Sequence, residues 1–314
     1  MSSPNADLSS LSISFPMRML LSWLRISQRN AMYRSAAQLH TMLERNVQAA
    51  PAPKSDSQLK VQPLTAPVYW QCWQLSPQQP STTTLPCWLY LHGGAYVRPI
   101  TPWHWRMLRE LVLGSGCTVL VAQYPLAPQF TCCATITDLL QAAAQWLAPH
   151  ARWGLMGDSA GAGMAVALTL AQRDAGLAMA EKLLLITPWL DVTLQGDACN
   201  ALAARDPMLA LDGAREAGRL YAGKLSTSHP WVSPAYADLH KLPPISLWCA
   251  QHDVCTSASL TFAERARQAG CDIHIHHGRR MPHAWPLLPT PEAHATRQQL
   301  ITQMRSEDTL FARQ

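Results

Sequence analysis

The sequence predicts an α/β fold with a mostly parallel central sheet, helices on both faces and a helical cap. Seven short, almost continuously apolar runs have the length of buried strands: residues 68–75, 87–91, 117–123, 152–156, 182–186, 245–250 and 272–276. Between these runs lie segments whose apolar residues recur at helical spacing. Apolar strands that alternate with helices build a parallel sheet that is covered on both sides.

Length and composition limit the class of protein. The chain has 314 residues, of which 48% are hydrophobic and 14% charged, so it can bury a large core in one globular domain, or in a domain with an insertion. The formal net charge is +5 and the basic residues are scattered, which argues against a nucleic-acid partner. The nine cysteines form no CxxC pair with metal-ligand spacing, so we expect reduced thiols in a cytoplasmic protein.

Three helices between the strands are predicted from local signals. One has an apolar face with steps of three and one residues, made by Ile136, Leu139, Leu140, Ala143, Trp146 and Leu147. A second follows Ser159, and a third runs from about Thr256 to a C-cap at Gly270.

Two segments depart from the alternation of strands and helices. Residues 1–48 are helical in pattern, and residues 196–241 are helical and irregular with no strand candidate. We expect these segments to form a cap. Residues 49–67, rich in Pro, Ala, Ser and Gln, are the predicted linker, which leaves 68–195 and 242–314 as the main α/β domain.

The N-terminal apolar stretch from Phe15 to Ile26 predicts an amphipathic helix. Arg18 and Arg25 interrupt it, which argues against a secretory signal and against stable membrane insertion. Such a helix packs either on the protein itself or on a membrane surface. Four of its residues either cover a substrate pocket or pack as in any helix: Met17, Leu20, Trp23 and Leu24.

A nucleophilic serine is predicted at residue 159. An apolar strand runs into Gly157-x-Ser159-x-Gly161 and then into an Ala-rich helix. A serine on a sharp strand-to-helix turn projects its hydroxyl into a cleft, and small neighbours are needed because the backbone is crowded there. The N-terminus of the following helix favours negative charge that develops nearby.

Peptide N–H groups that could bind an oxyanion are predicted in two places. The strand that ends at residue 91 opens into the segment His92–Tyr96, where small side chains let N–H groups face a ligand. The residue after the serine supplies another donor. The predicted oxyanion hole consists of Gly93, Gly94, Ala95 and Ala160; the alternative for residues 92–96 is an ordinary glycine turn.

A base and an acid for the serine are predicted after the last two strands. Asp253 follows the strand at 245–250, and His283 lies in Met281-Pro-His-Ala-Trp285. We therefore expect Ser159, Asp253 and His283 to form a triad. In it, His283 accepts the serine proton and returns it to the leaving group, while Asp253 orients the ring. The order Ser, acid, His along the chain is that of α/β hydrolases.

Across residues 88–286 the sequence resembles the hormone-sensitive-lipase-like family of α/β hydrolases. The resemblance rests on eight blocks in the family's order: His92-Gly-Gly-Ala-Tyr96, Tyr124-Pro-Leu-Ala-Pro128, Gly157-Asp-Ser-Ala-Gly161, Pro188-Trp-Leu-Asp191, Asp206-Pro207, Ser233-Pro-Ala-Tyr-Ala-Asp238, Leu242-Pro-Pro244 and Met281-Pro-His283.

This resemblance implies an α/β-hydrolase fold and a carboxylesterase that acts on esters with small or medium acyl groups, without a cofactor, beneath a helical cap. It also places oxyanion donors in the glycine run and after the serine, and the acid at Asp253. The expected partner is a small ester molecule, and a homodimer is left open. The alternatives are a lactonase, a small-metabolite deacetylase, an interfacial lipase or a hydrolase-like protein that only binds its ligand.

Departures from the family pattern concern single residues. Ala95 replaces a glycine in the oxyanion segment, and Arg280 replaces a glycine before Met-Pro-His. Arg279 and Arg280 either meet acidic groups of a substrate or form a solvated pair. Tyr96 and Trp285 are the predicted lining of the acyl pocket.

Two other groups of residues have two interpretations each. Asp158 beside the serine either tunes its environment or caps backbone N–H groups at the turn. His274, His276 and His277 resemble a metal-binding cluster. However, alternation with Ile273 and Ile275 puts the first two on the polar face of an edge strand, and we expect no metal.

Overall fold

An eight-stranded sheet runs through the part of the chain that the computed structural model describes, which is residues 13–45, 47–65, 70–79, 81 and 83–305. Its strands are β1 (Leu59–Pro63), β2 (Gln71–Pro77), β3 (Cys87–Leu91), β4 (Val119–Gln123), β5 (Trp153–Asp158), β6 (Leu183–Ile186), β7 (Ile245–His252) and β8 (Ile273–Pro282). The order across the sheet is β1-β2-β4-β3-β5-β6-β7-β8. β2 pairs antiparallel with β1 and with β4, and all other pairs are parallel, so the predicted α/β fold is confirmed.

Helices cover both faces of this sheet. They are α1 (Phe15–Ile26), α2 (Ala36–Leu43), α3 (Pro102–Ser115), α4 (Cys132–Leu147), α5 (Ser159–Asp174), α6 (Asp197–Ala203), α7 (Leu211–Ala222), α8 (Thr256–Gln268) and α9 (Pro291–Arg305). α3 and α9 pack together on one face, with α1 against α9, and α4, α5 and α8 lie on the other face. The three helices predicted between the strands are α4, α5 and α8, and Gly270 follows α8 with φ of 81°.

The alternation of side chains along β3 divides the core into two clusters. Leu89 and Leu91 point into the cluster under α4 and α5, while Trp88 and Tyr90 point into the cluster under α3 and α9. Every residue of β3 is buried, as expected for a central strand of a sheet covered on both sides. The sheet therefore provides a rigid base whose strand ends carry the candidate site.

One predicted segment has a different structure. The expected linker, 49–67, contains strand β1, which pairs with β2 from Leu59 opposite Pro77 to Pro63 opposite Trp73. This correction has a physical reason. β1 lies at the edge of the sheet and buries only Leu59 fully, so its sequence lacks the apolar run of a central strand.

The two segments expected to form a cap contact each other. α2 packs on α7, His40 Nε2 lies 2.8 Å from Glu216 Oε1, and a Cβ at Gly213 would lie 2.5 Å from the Cα of Tyr33. Residues 196–241 contain helices and turns and no strand, as predicted. Within the described part of the chain, no helix is long and apolar enough to cross a membrane.

Candidate active site

Ser159 stands at the turn between β5 and α5. Its φ is 51°, in the left-handed region, which turns the chain sharply from strand into helix. The glycines on both sides are required by space. A Cβ at Gly157 would lie 2.6 Å from the backbone of Gly161, and a Cβ at Gly161 would lie 2.0 Å from the carbonyl oxygen of Leu91.

His283 contacts the serine hydroxyl. Its Nε2 lies 2.7 Å from Ser159 Oγ, although the two residues are 124 positions apart in the chain. His283 follows the end of β8 and is buried, as is the serine. The neighbouring Ala284 has φ of 50°, and its N–H donates to Thr187 Oγ1 at 3.2 Å, which fixes the loop that presents the imidazole.

Asp253 lies on the other side of the imidazole. Its Oδ2 is 2.9 Å from His283 Nδ1, the distance of an ion pair, but the two groups are not aligned for a hydrogen bond. The other oxygen, Oδ1, accepts the N–H of Cys255 at 2.9 Å. The carboxylate is fully buried just after β7. The three predicted triad residues therefore meet in one row at the carboxyl ends of β5, β7 and β8.

The electrostatic environment of His283 favours its protonated form. Burial alone would lower the pKa of the imidazole, but the contact with Asp253 and the charges of Asp206 and Asp158 outweigh burial, and the pKa lies above 6.5. This arrangement suits a base that must carry positive charge during a reaction.

A second buried carboxylate, Asp206, adjoins the acid. Its Oδ2 accepts the N–H of Val254 at 3.0 Å, and its Oδ1 accepts the N–H groups of Met208 at 2.8 Å and Leu209 at 2.9 Å. Burial and then the charge of Asp253 raise the pKa of Asp206 to about 7. Asp206 therefore connects residues 196–241 with the loop that holds Asp253.

The predicted oxyanion donors differ in whether their N–H groups already donate a hydrogen bond. Gly94 and Ala95 have positive φ values of 133° and 55°, and, across the described residues, no acceptor bonds to their N–H groups. Ala160 is in the first turn of α5, where N–H groups have no partner within the helix. The prediction that Gly93 is an oxyanion donor is wrong, because its N–H already donates to Asp158 Oδ1 at 2.8 Å and is not available to an oxyanion.

Asp158 has a role that the sequence analysis missed. It does not cap α5; instead, its carboxylate binds the Gly93 N–H and the hydroxyl of Tyr90. Burial would raise the pKa of Asp158, but the charge of His104 and these hydrogen bonds hold it below the ordinary value. No local signal could reveal this contact, because Gly93 is 65 residues away in the chain.

His104 completes this cluster. Its Nδ1 accepts the N–H of Thr101 at 3.0 Å, so the ring proton lies on Nε2 in the neutral form, and Nε2 is 3.5 Å from Asp158 Oδ2. The start of α3 is thereby tied to the nucleophile turn through one imidazole and one carboxylate.

The two predicted pocket residues are both buried. The ring of Tyr96 stacks on that of Tyr221, with 3.7 Å between centroids, and lies beside Trp189. Trp285 packs under α9 and its Nε1 donates to Thr296 Oγ1 at 2.9 Å. Contact of either residue with a substrate stays a prediction.

One group of side chains has metal-ligand spacing among the described residues. Ligand atoms of Asp253, Cys255 and His283 lie within 4.8 Å of one another. However, Asp253 and His283 already pair with each other, and burial raises the pKa of Cys255, which keeps its thiol protonated and a poor metal ligand. His276 lies in the edge strand β8, and its ring stacks on that of Trp248 in β7.

Comparison with known proteins agrees with this geometry. A profile described as alpha/beta hydrolase fold matches residues 88–287. The acetyl-hydrolase of Streptomyces hygroscopicus is 32% identical over 208 residues, which cover 64% of this chain and 70% of the relative. The solved structure of a hormone-sensitive lipase from a metagenome library superposes with a TM-score of 0.80 at 25% identity, over 94% of this chain and 98% of that one.

The chain belongs to the hormone-sensitive-lipase-like family of α/β hydrolases. An esterase of Acinetobacter venetianus is also similar, at 27% identity over 247 residues, which cover 71% of this chain and 81% of the relative. The family hydrolyses carboxylic esters, and this hydrolase is a carboxylic ester hydrolase.

Proposed function

We propose that the hydrolase is a serine carboxylesterase in which Ser159 is the nucleophile, His283 the base and Asp253 the residue that orients the base. One observation carries this assignment: Ser159 Oγ lies 2.7 Å from His283 Nε2, and Asp253 Oδ2 lies 2.9 Å from the opposite ring nitrogen. The acid–imidazole contact is not aligned as a hydrogen bond, and such contacts often tighten only when substrate binds.

The reaction that follows has two steps. His283 Nε2 takes the proton of Ser159 as Oγ forms a bond to the ester carbonyl carbon, and the tetrahedral oxyanion that results lies near the N–H groups of Gly94, Ala95 and Ala160. The C–O bond to the alcohol then breaks, and His283 protonates the departing alcohol. Water, deprotonated by His283, attacks the acyl carbon of the acyl-enzyme. The bond from that carbon to Ser159 Oγ breaks, His283 returns the proton to Oγ, and the carboxylic acid is released.

A cap over this site would consist of residues 1–48 and 196–241, with the main domain at 68–195 and 242–314. The contact between α2 and α7 supports the joint cap. The three hydrogen bonds of Asp206, which connect residues 196–241 with the Asp253 loop, also support it.

The substrate class that we propose is an ester with a short acyl group, acetyl first. The Streptomyces relative is named an acetyl-hydrolase, and relatives in Salmonella are named acetyl esterases. The stacked rings of Tyr96, Tyr221 and Trp189 are buried, and the N–H of Trp189 donates to the carbonyl of Ser159 at 3.0 Å, which supports limited space for an acyl chain on that side. A deacetylase of a small metabolite is the second candidate, and the name of the Streptomyces relative favours it.

The nucleophile is tested by Ser159→Ala with p-nitrophenyl acetate. We expect the turnover number to fall by at least on the order of 10⁴-fold, because, among the residues that the structure describes, no other hydroxyl pairs with His283. A fluorophosphonate probe followed by peptide mass spectrometry should place the label on Ser159. Full activity in the variant, or a label on another residue, would show that the assignment is wrong.

Substrate class is tested with p-nitrophenyl esters of increasing chain length, lactones and acetylated sugars and amines. Highest kcat/KM for acetyl esters supports the proposal. A preference for lactones or for acetylated amines would move the function to the alternatives within the same chemistry.

A cytoplasmic location and a homodimer are finer proposals. All nine cysteines are free, and eight are buried, which fits a reducing compartment. Titration of nine thiols in denatured protein purified without reductant would agree with that location, and sedimentation velocity would give the oligomeric state.

A further inference from the structure

The outer face of α1 exposes four large apolar side chains in one stripe. Phe15 is 69% exposed, Met19 56%, Trp23 56% and Ile26 81%. Their spacing of four, four and three residues puts them on one side of the helix. Across the described residues, nine large hydrophobic side chains are exposed, and four of them lie in this stripe. Scattered apolar residues are ordinary on a protein surface, but a contiguous stripe marks an interaction site.

Packing of α1 on the protein does not account for this stripe. The opposite side of the helix carries Met17, Leu21 and Leu24, which are buried. Met17 and Leu21 join the cluster that contains Trp285 and residues of α9. The helix is therefore held on the protein by one apolar face, and the second apolar face is left for another contact.

The charged side chains of α1 and of residues 27–34 are all arginines, while one carboxylate from α9, that of Glu292, accepts the N–H and the hydroxyl of Ser14 at the start of α1. Arg18 and Arg25 lie on α1, and Arg29 and Arg34 follow it; all four are exposed. Residues 13–43 contain no aspartate and no glutamate. Among the described residues, no carboxylate pairs with any of these four arginines, whereas arginines elsewhere, such as Arg109 and Arg297, form ion pairs.

The charge of Arg25 on α1 also acts on a residue beside the active site. His252 directly precedes Asp253 and pairs in the sheet with Pro282, the neighbour of His283. Burial and then the charges of Arg25, Arg205 and Arg280 lower the pKa of His252. None of the three forms an ion pair with a residue that the structure describes.

We propose that the outer face of α1 docks on the surface of an anionic phospholipid bilayer. Aromatic and aliphatic side chains that insert at the level of the headgroups, beside arginines that bind anionic lipid, are the features of a helix that lies in a membrane interface. The four exposed arginines fit an anionic surface, which distinguishes a bilayer from a neutral apolar partner. This proposal does not rest on the proposed function.

The first experiment is co-sedimentation of the full chain with sucrose-loaded vesicles. We expect binding to vesicles that contain phosphatidylglycerol, at least about tenfold weaker binding to pure phosphatidylcholine, and loss of binding in high salt, because exposed charges are screened. Absence of binding to the phosphatidylglycerol vesicles would overturn the proposal.

The second experiment locates the contact. The double variant Trp23→Ser/Ile26→Ser should bind the anionic vesicles at least about tenfold more weakly, since two inserted side chains are removed. The matched control is Leu177→Ser/Leu260→Ser, which changes exposed apolar residues outside α1 and should bind like the wild type. Equal binding by the Trp23/Ile26 variant and the wild type would show that another surface binds lipid. Circular dichroism and turnover of a water-soluble ester, both expected to be unchanged, verify that the variant is folded.

Two other occupants of the stripe give distinct results. If a second copy covers it, sedimentation shows a dimer that Trp23→Ser dissociates and that binds no vesicles. If residues 1–12 cover it, deletion of these residues creates vesicle binding that the full chain lacks. Either result overturns the proposal. Ser159→Ala should bind vesicles like the wild type, so failure of the catalytic assignment would not affect this test.

Discussion

The carboxylate of Asp158 connects the turn that carries Ser159 with the loop that carries Gly93, Gly94 and Ala95. It belongs to the nucleophile turn and holds Gly93 of the oxyanion loop at 2.8 Å. Because Gly94 and Ala95 follow directly, this contact helps to position their N–H groups relative to Ser159. Its geometry leaves no room for a side chain at Gly93, where a Cβ would lie 2.2 Å from Asp158 Oδ2.

Gly93→Ala is therefore expected to displace the oxyanion loop. We predict a fall in kcat on the order of 10²-fold or more for p-nitrophenyl acetate, with a smaller change in KM, since the donors act mainly in the transition state. The control is Gly176→Ala, where a Cβ would meet nothing within 4 Å, and it should leave kcat unchanged. Similar losses of activity in both variants would mean that the clash with Asp158 is not responsible.

The proposed role of His283 as the base predicts the pH dependence of activity. Only the neutral imidazole can accept the serine proton, and the Asp253 contact raises its pKa above 6.5 despite burial. We predict that kcat/KM falls as pH decreases, with a midpoint above 6.5. Removal of the carboxylate in Asp253→Asn should lower this midpoint together with the rate. A profile that is flat from about pH 5 to 8 would contradict a histidine base.

At the scale of elements, Asp206 connects the segment 196–241 with the loop after β7 through a hydrogen bond. Its carboxylate accepts hydrogen bonds from three backbone N–H groups, one of them that of Val254, next to the proposed triad acid Asp253. An amide in its place has only one acceptor oxygen, and its NH₂ group would face an N–H donor.

Asp206→Asn is accordingly expected to loosen the position of Asp253. We predict a loss of about 1–3 kcal/mol in the free energy of unfolding, the cost of an unsatisfied buried group. We also predict about a tenfold lower kcat with a nearly unchanged KM. Asp197→Asn, an exposed acidic residue in the same segment, is the control and should change neither quantity. Urea denaturation and steady-state kinetics measure both.

The sequence predicts some elements better than others for physical reasons. β3 and β7 are central strands, so their residues form continuous apolar runs that are visible in the sequence. β1 is an edge strand with one fully buried residue, and nothing distinguishes its sequence from a linker. In the site, the order of Ser159, Asp253 and His283 is readable along the chain, whereas the bond between Asp158 and Gly93 depends on the tertiary fold.

For the whole molecule, activity and stability should change in opposite directions with pH. Asp206 has a folded pKa of about 7, above its ordinary value, and His283 is also raised. A raised pKa means that the folded state binds protons more tightly than the unfolded chain, so this contribution to stability is present at low pH and is lost as pH rises through the folded pKa.

We therefore predict that the contribution of these two groups to the free energy of unfolding decreases from about pH 5 to 8, while kcat/KM increases over the same range. Thermal unfolding at several pH values, for the wild type and for Asp206→Asn, measures this. The variant should show a weaker dependence on pH. An identical dependence in both proteins would show that Asp206 does not titrate in this range.

The fold as a whole was predictable because apolar strands and helices alternate over most of the chain, and the family blocks lie in order within it. It was not predictable which face of α1 packs on the protein and which face is exposed. The amphipathic pattern of α1 indicates a helix, but only the structure shows that Met17 and Leu21 face inward and Trp23 outward, because both faces of the helix are apolar.

The proposed catalytic side chains all stand at the ends of sheet strands, whereas the proposed cap comes from two other segments, of which the structure describes residues 13–45 and 196–241. Under this proposal, sequence change in the cap can alter the substrate pocket without moving the serine, the imidazole or the carboxylate. Adaptation to a new ester should therefore begin in α2, α6 and α7, and libraries for laboratory evolution are best concentrated there.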